Sequence, residues 1–433
     1  MEMILKRVGI GDYVRMSLVC KSWRSMLAHL KPSNHHLTAP WLLQIKDCVY
    51  NDHIGFNFYS LSEGRFYSFK LPTRILNKYP KVSHGVTFCC ATCNGWLVLV
   101  AGPNHNPDMF LFDPISEIDV KLPSLTTIPF CSSYIENHCR IACMIYYVYV
   151  FSISGDPTRN LITVAVFGDV MNDEEILAFC NCDIGVKEEE ERSWEIFDAN
   201  GTISGYNTES MLFHDGVLYI LISNKDYDFN DFKSSDQDDD NNNKRIGEEM
   251  NHVVILKTDC CEVKMKIIDI VKHNTAPHIR PCDNKLRFIA YSGLRYVYLA
   301  KSMKGELLII WNKSDPLSEH EDDYALDIYL TSKLTIERYE GISKTNNDFE
   351  CITSLDDEAL FVSPNSSSFS IPTTSDLNGY QPNCIYFTMD SIDALYKKSL
   401  TLYRQSGIYS MQEETIKRPF PNPPLWFQPQ LRD

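Results

Sequence analysis

The chain is 433 residues long, 44 % hydrophobic and 12 % aromatic, enough apolar content to bury a large core and too much for a chain disordered by composition. Its 41 Lys and Arg against 57 Asp and Glu give a formal charge of −16, so phosphate backbones and anionic lipid are repelled. Neither nucleic acid nor a membrane surface is therefore an expected partner.

Residues 1–30 carry the helical signal. Val14 and Leu18, Val19 and Trp23, and Met26 and Leu30 each fall four apart, which lines them along one side of a helix. Asp12 is placed to cap it and Pro32 to end it. Lys6 and Arg7 interrupt the only apolar patch of the first ten residues, so no secretory signal is read there. Residues 31–40 have the composition of a linker, and His35 and His36 are adjacent rather than four apart, which gives no metal pair on a helix.

From Trp41 the texture changes to short Val-, Ile-, Phe- and Tyr-rich strands between polar turns. A polar turn ending in Gly, followed by an apolar strand, recurs at Gly64, Gly95, Gly216, Gly305 and Gly407. Each copy is expected to mark a strand–turn–strand, because Asn-Gly and Asp-Gly supply the positive φ of a tight hairpin. Two Leu-Pro exits, Leu71-Pro72 and Leu122-Pro123, lie 51 positions apart, from 72 to 123. That is close to the period of about 50 residues of kelch-like propeller blades, and residues 41–430 divided by roughly 50–60 residues per blade give six or seven blades. A pair of β-sandwiches satisfies the same pattern. The longest apolar run, 141–153, is too short for a bilayer and reads as a buried strand.

Residues 224–250 break the pattern. They contain Asp236-Gln237-Asp238-Asp239-Asp240 and almost no aliphatic residue, and are expected to form a disordered acidic loop. The run lacks the Gly and terminal Glu of an EF-hand, so calcium is not indicated. Lys187 to Arg192 reads as a solvated turn. The 15 cysteines are scattered through apolar strands, a usage that fits a reducing compartment, cytoplasmic or nuclear. Cys90-x-x-Cys93 and Cys139-x-x-x-Cys143 have the look of two zinc knuckles, but the second leads into an apolar strand, where structural zinc sites seldom sit. No nucleophile elbow, phosphate-binding Gly loop or zinc-protease motif is present in the sequence. No catalytic residue, metal or cofactor is expected.

Asp12-Tyr13-Val14-Arg15-Met16-Ser17-Leu18-Val19-Cys20-Lys21-Ser22-Trp23-Arg24 resembles the second half of an F-box, a helical motif that docks on a Skp-type adaptor of cullin ubiquitin ligases. Ile4-Leu5-Lys6-Arg7-Val8 matches only the end of the first F-box helix, so a short, N-terminally truncated F-box is expected at 1–30.

The body from about residue 90 resembles plant F-box proteins that carry a KIB-type β-propeller. The matching segments are Cys93-Asn94-Gly95-Trp96-Leu97-Val98-Leu99, Tyr298-Leu299-Ala300-Lys301-Ser302 with Gly305-Glu306-Leu307-Leu308, and Ser354 to Val362. Two more are Asn383-Cys384-Ile385-Tyr386-Phe387 and Pro423-Pro424-Leu425-Trp426-Phe427-Gln428-Pro429.

The resemblance implies a mainly β fold, a six- or seven-bladed propeller over 41–430 behind the short α-helical F-box. It implies a substrate-receptor subunit of a Skp–cullin–F-box ubiquitin ligase, with the propeller binding a protein target whose identity the sequence does not give. The adaptor face would be Leu5, Val8, Val14, Leu18, Val19 and Trp23. The alternative is a propeller interaction module that has lost adaptor binding through the truncation.

Overall fold

The computed structural model describes residues 39–44, 55–78, 86–102, 107–128, 145–152, 161–169, 174–182, 193–197, 206–214, 217–224, 250–258, 265–274, 297–316, 329–339, 349–364, 366–373, 379–388, 406–419 and 425–429, with Met16 and Ser22, both helical. The helix expected over residues 14–30 otherwise lies outside the described residues, as do 187–192 and all but the two ends of the acidic stretch.

Strands β1 (Trp41–Gln44), β2 (Gly55–Ser60) and β3 (Arg65–Lys70) form an antiparallel meander. Alternation sets which side is buried: along β2, Phe56, Phe58 and Ser60 point inward. At the rim, β3 fully buries only Tyr67. Leu71-Pro72 then leaves the sheet for a single helical turn-and-a-half, α1 (Thr73–Lys78). Ile75 of α1 enters the core, while Arg74 and Lys78, four apart on one face, reach Asp119 at 2.9 and 3.0 Å.

The second sheet is β4 (Val86–Cys93), β5 (Trp96–Gly102), β6 (Asp108–Phe112) and β7 (Asp119–Lys121), in that order. Residues 97–101 of β5 are all buried, because sheets pack on both of its faces. Leu122-Pro123 leaves β7 as Leu71-Pro72 leaves β3. The echo in the sequence is thus the same structural point, the exit from the outermost strand, in two consecutive sheets.

Three further four-stranded sheets follow. The third holds β8 (Ile145–Ser152), β9 (Leu161–Asp169), β10 (Glu174–Asn181) and β11 (Glu195–Ile196). The fourth holds β12 (Tyr206–His214), β13 (Val217–Asn224), β14 (Met250–Thr258) and β15 (Met265–Asn274). The acidic stretch therefore connects two adjacent antiparallel strands, β13 and β14. The fifth holds β16 (Val297–Lys301), β17 (Leu307–Pro316), β18 (Tyr329–Tyr339) and β19 (Phe349–Ile352).

The sixth sheet has five strands: β20 (Glu358–Val362), β21 (Phe369–Pro372), β22 (Cys384–Phe387), β23 (Gly407–Ser410) and β24 (Thr415–Lys417). Their spatial order is β21-β20-β22-β23-β24, with β20 and β22 parallel. The last strand, β25 (Leu425–Phe427), returns to the first sheet and pairs with β1.

The described residues thus contain six sheets, and each packs on the next. Trp41, Phe58 and Phe427 of the first sheet meet Leu97, Leu99 and Phe112 of the second. One continuous core joins Val98 and Leu111 of the second to Val164 and Val166 of the third and Ile220 of the fourth. Leu212 and Leu221 meet Leu299 and Ile309, and Tyr298 and Ile310 meet Leu360 and Ile385. Phe361, Phe369 and Tyr386 of the sixth sheet then pack on Leu42 and Trp426 of the first. This is a β-propeller arrangement.

One expectation about the glycines is corrected. Gly64, Gly95 and Gly305 have φ of 64°, 78° and 84° and sit in tight turns, and Gly216 lies outside the described residues, but Gly407 opens strand β23 and is not a hairpin turn. A Cβ there would lie 2.8 Å from the Lys417 carbonyl and 3.1 Å from Phe387, so closeness of packing is what requires glycine.

Candidate functional site

The adaptor-face residues Leu5, Val8, Val14, Leu18, Val19 and Trp23 lie outside the described residues, and the structure neither assembles nor separates them. What it does describe is two places where several sheets meet through polar groups.

The first is at the Asn94-Gly95 turn. Asn94 takes a φ of 48°, and with Gly95 makes the two-residue hairpin that joins β4 to β5. The turn is gripped from three sides. The Asn94 side-chain amide donates to the Val150 carbonyl of β8 at 2.7 Å, and the Asn94 backbone N–H donates to Ser367 Oγ at 3.1 Å. Ser367 N–H donates to the Thr92 carbonyl at 3.0 Å, and the Thr92 hydroxyl donates to the Trp426 carbonyl of β25.

Cys93 is part of this junction. Its sulfur accepts from Ser367 Oγ at 2.8 Å and from Val150 N–H at 3.1 Å. Cys90 turns instead to the Val98 carbonyl at 3.4 Å, and burial pushes its thiol up to about 12. A thiol held in the neutral form is a poor metal ligand. Cys139 and Cys143 lie outside the described residues. Among the described residues no group of three His, Cys, Asp or Glu side chains is placed to hold a metal ion.

The second place is the β16–β17 turn, Ser302 to Glu306. Ser302 closes it by donating its N–H to the Glu306 carbonyl at 3.0 Å and by accepting the Glu306 N–H on its hydroxyl at 3.1 Å. Neighbouring sheets fix it further. His214 of β12 donates from Nε2 to the Gly305 carbonyl at 2.9 Å, and Glu358, a buried carboxylate at the start of β20, accepts the Met303 N–H at 2.8 Å.

The result is a rigid turn that holds the Met303 side chain 51 % exposed. Charged pairs frame it: Lys304 with Asp356 at 2.9 Å, and Arg338 with both Glu306 and Glu350. Hydrogen bonding to Lys304 holds the Asp356 carboxyl below its ordinary value and lifts the Lys304 ammonium above its own. An adaptable apolar side chain on a preorganised polar frame is chemically suited to protein contact and offers nothing that makes or breaks bonds.

Sequence reasoning singled out both turns through their glycines but missed their clamps. Ser367, His214 and Glu358 come from other sheets, and nothing in their local sequence points to Asn94 or Met303. Among the described residues no helix is long and apolar enough to cross a membrane.

Sheets that pack each on the next in this way define a β-propeller. Comparison with known proteins agrees with it: a family model for the KIB1-4 beta-propeller matches residues 58–410, and one for the F-box domain matches residues 1–34. The chain belongs to the KIB1-4 beta-propeller family, in an F-box protein of the plant type.

An F-box protein of Arabidopsis thaliana is 28 % identical over 123 residues, which is 28 % of this chain and 28 % of that protein. The match thus spans less than a third of the relative's length. Among solved structures, the Dos1 propeller aligns over 68 % of this chain and 64 % of its own with a TM-score of 0.30 at 9 % identity. An α-L-arabinofuranosidase from Fusarium graminearum aligns over 65 % and 70 % with a TM-score of 0.29 at 10 % identity. Likeness at that level carries nothing about activity.

Proposed function

We propose that the chain is a substrate-receptor subunit of a Skp–cullin–F-box ubiquitin ligase. The observation that carries this is the pairing, in one chain, of an F-box match at 1–34 with a KIB1-4 beta-propeller match at 58–410. In this reading residues 1–30 dock on a Skp-type adaptor through Leu5, Val8, Val14, Leu18, Val19 and Trp23, residues 31–40 link, and 41–430 form the target-binding propeller. The six sheets are its six blades, and the Met303 turn is one point of target contact.

The mechanism is proximity. A bound target has its lysines held near the charged conjugating enzyme, which raises their effective concentration, and the receptor itself makes no bond. Such a subunit works where the ligase works, in the cytoplasm or nucleus, which also suits the cysteine usage.

The test is co-expression of the full chain with a Skp-type adaptor and capture of the complex. Binding at micromolar concentration is expected, and Leu18→Asp or Trp23→Ala should weaken it at least about tenfold, as loss of a buried apolar anchor does. Failure of the unaltered chain to capture the adaptor overturns the ligase role and leaves an interaction module without ligase coupling.

A further inference from the structure

A row of three buried hydroxyls ends the sixth sheet. Val362 of β20 pairs with Phe387 of β22, and Phe387 with Gly407 of β23. One step beyond, Ser363, Thr388 and Ser406 continue the same rank, and the Thr388 N–H donates to the Val362 carbonyl at 3.1 Å. Leu360, Val362, Ile385, Phe387 and Tyr409 face the fifth sheet, whereas Ala359, Phe361, Cys384, Tyr386 and Ile408 face the first. Strand alternation then turns all three hydroxyl-bearing residues toward the first sheet, side by side.

These residues are only 3, 0 and 1 % exposed. Ser363 Oγ and Ser406 Oγ, at the two ends of the row, meet no hydrogen-bonding group among the described residues. A hydroxyl withdrawn from water without a partner is strongly disfavoured, and two in one rank are rarer still in native folds.

We infer that the row is a binding site for ordered water, on the face of the sixth sheet that is turned toward the first, where the ring closes. The ligand class follows from the donor set. The three side chains are neutral and bring no charge to balance an ion, and each can both donate and accept, as a bridging water requires. Two or three convergent polar groups are also the usual coordination of a buried water. The site neither uses nor depends on the ligase reading.

The test is thermal unfolding of the full chain carrying Ser363→Ala, Ser406→Ala or both. With a bridging water, each single change lowers the midpoint by about 1–3 °C. Ser363 and Ser406 lie two strand spacings apart, roughly 10 Å, so each holds its own water beside Thr388 and the double change lowers the midpoint by about the sum of the two. A midpoint that rises or stays level overturns the site. A crystal structure of the unaltered chain is an independent readout. Water oxygens within about 3.2 Å of Ser363 Oγ and Ser406 Oγ are expected, and their absence from well-defined density overturns it equally.

Discussion

Leu42 and Trp426, from opposite ends of the chain, sit directly across from one another in the antiparallel pairing of β1 with β25. The first sheet is therefore completed by the last strand, and the ring is held shut by that pairing and by the side chains around it. Trp426 is the largest of these. Its indole lies 4.9 Å edge-to-face from Phe361 and 6.2 Å from Tyr386, so it ties the first sheet to the sixth.

Trp426→Ala should destabilise the protein by about 3–5 kcal/mol, the range for emptying a buried aromatic site. Thr92→Val, which removes only the hydroxyl that donates to the Trp426 carbonyl, should cost about 1 kcal/mol. Urea unfolding monitored by tryptophan fluorescence separates the two. Equal small losses would mean that the closing strand contributes little.

Gly407→Ala should destabilise by roughly 1–3 kcal/mol, because its Cβ meets the Lys417 backbone and Phe387 in a packed sheet. At Gly64 nothing lies within 4 Å, and the φ of +64° is the only obstacle. Gly64→Asn should therefore be nearly neutral, since Asn adopts that conformation readily, whereas Gly64→Val should cost about 1–2 kcal/mol. The checking measurement is again the unfolding midpoint, and a harmless Gly407→Ala would contradict the close approach.

Glu358→Ala leaves the Met303 N–H without its acceptor and should cost about 1–3 kcal/mol. Glu358→Gln keeps a side-chain oxygen and should cost less. Hydrogen exchange at the Met303 amide gives the local readout: faster exchange in the Ala variant, near-native exchange in the Gln variant. An amide that exchanges at the same rate in all three proteins would mean that Glu358 does not hold the turn.

Burial pushes the Tyr386 phenol up to about 12, and those of Tyr380, Tyr149 and Tyr67 upward as well. A folded-state value above the unfolded one favours the neutral form in the fold. The associated stability is fully present below about pH 10, the ordinary phenol value, and is lost as the pH rises toward 12. Unfolding free energy should therefore fall steeply above pH 10, and Tyr386→Phe should flatten part of that fall. A Tyr386→Phe profile parallel to that of the native chain would refute the assignment.

The sequence made the strand content, the Leu-Pro exits and three of the turn glycines legible because each depends on neighbours in the chain. Gly407 was misread for the same reason: its glycine answers to Lys417 and Phe387, contacts that no hairpin pattern encodes. The clamps were illegible too. Ser367 reaches Asn94, and Glu358 reaches Met303, only once separate sheets are brought side by side. The tail Pro-Pro-Leu-Trp-Phe was recognisable as a family segment, but its position as the closing strand depends on the ring and not on its own residues. The branch of the sixth sheet, in which β20 and β22 run parallel, likewise left no periodic mark.

Pairing of β1 with β25 also sets a timetable for the nascent chain. Strand β1 leaves the ribosome early, and its partner edge is made about 380 residues later, roughly 20–75 s at ordinary elongation rates. Throughout that interval Trp41, Leu42 and Leu43 lie along an open edge, able to pair with any other extended segment. Chaperone demand during synthesis should accordingly be governed by Leu425–Phe427, whose arrival removes that edge.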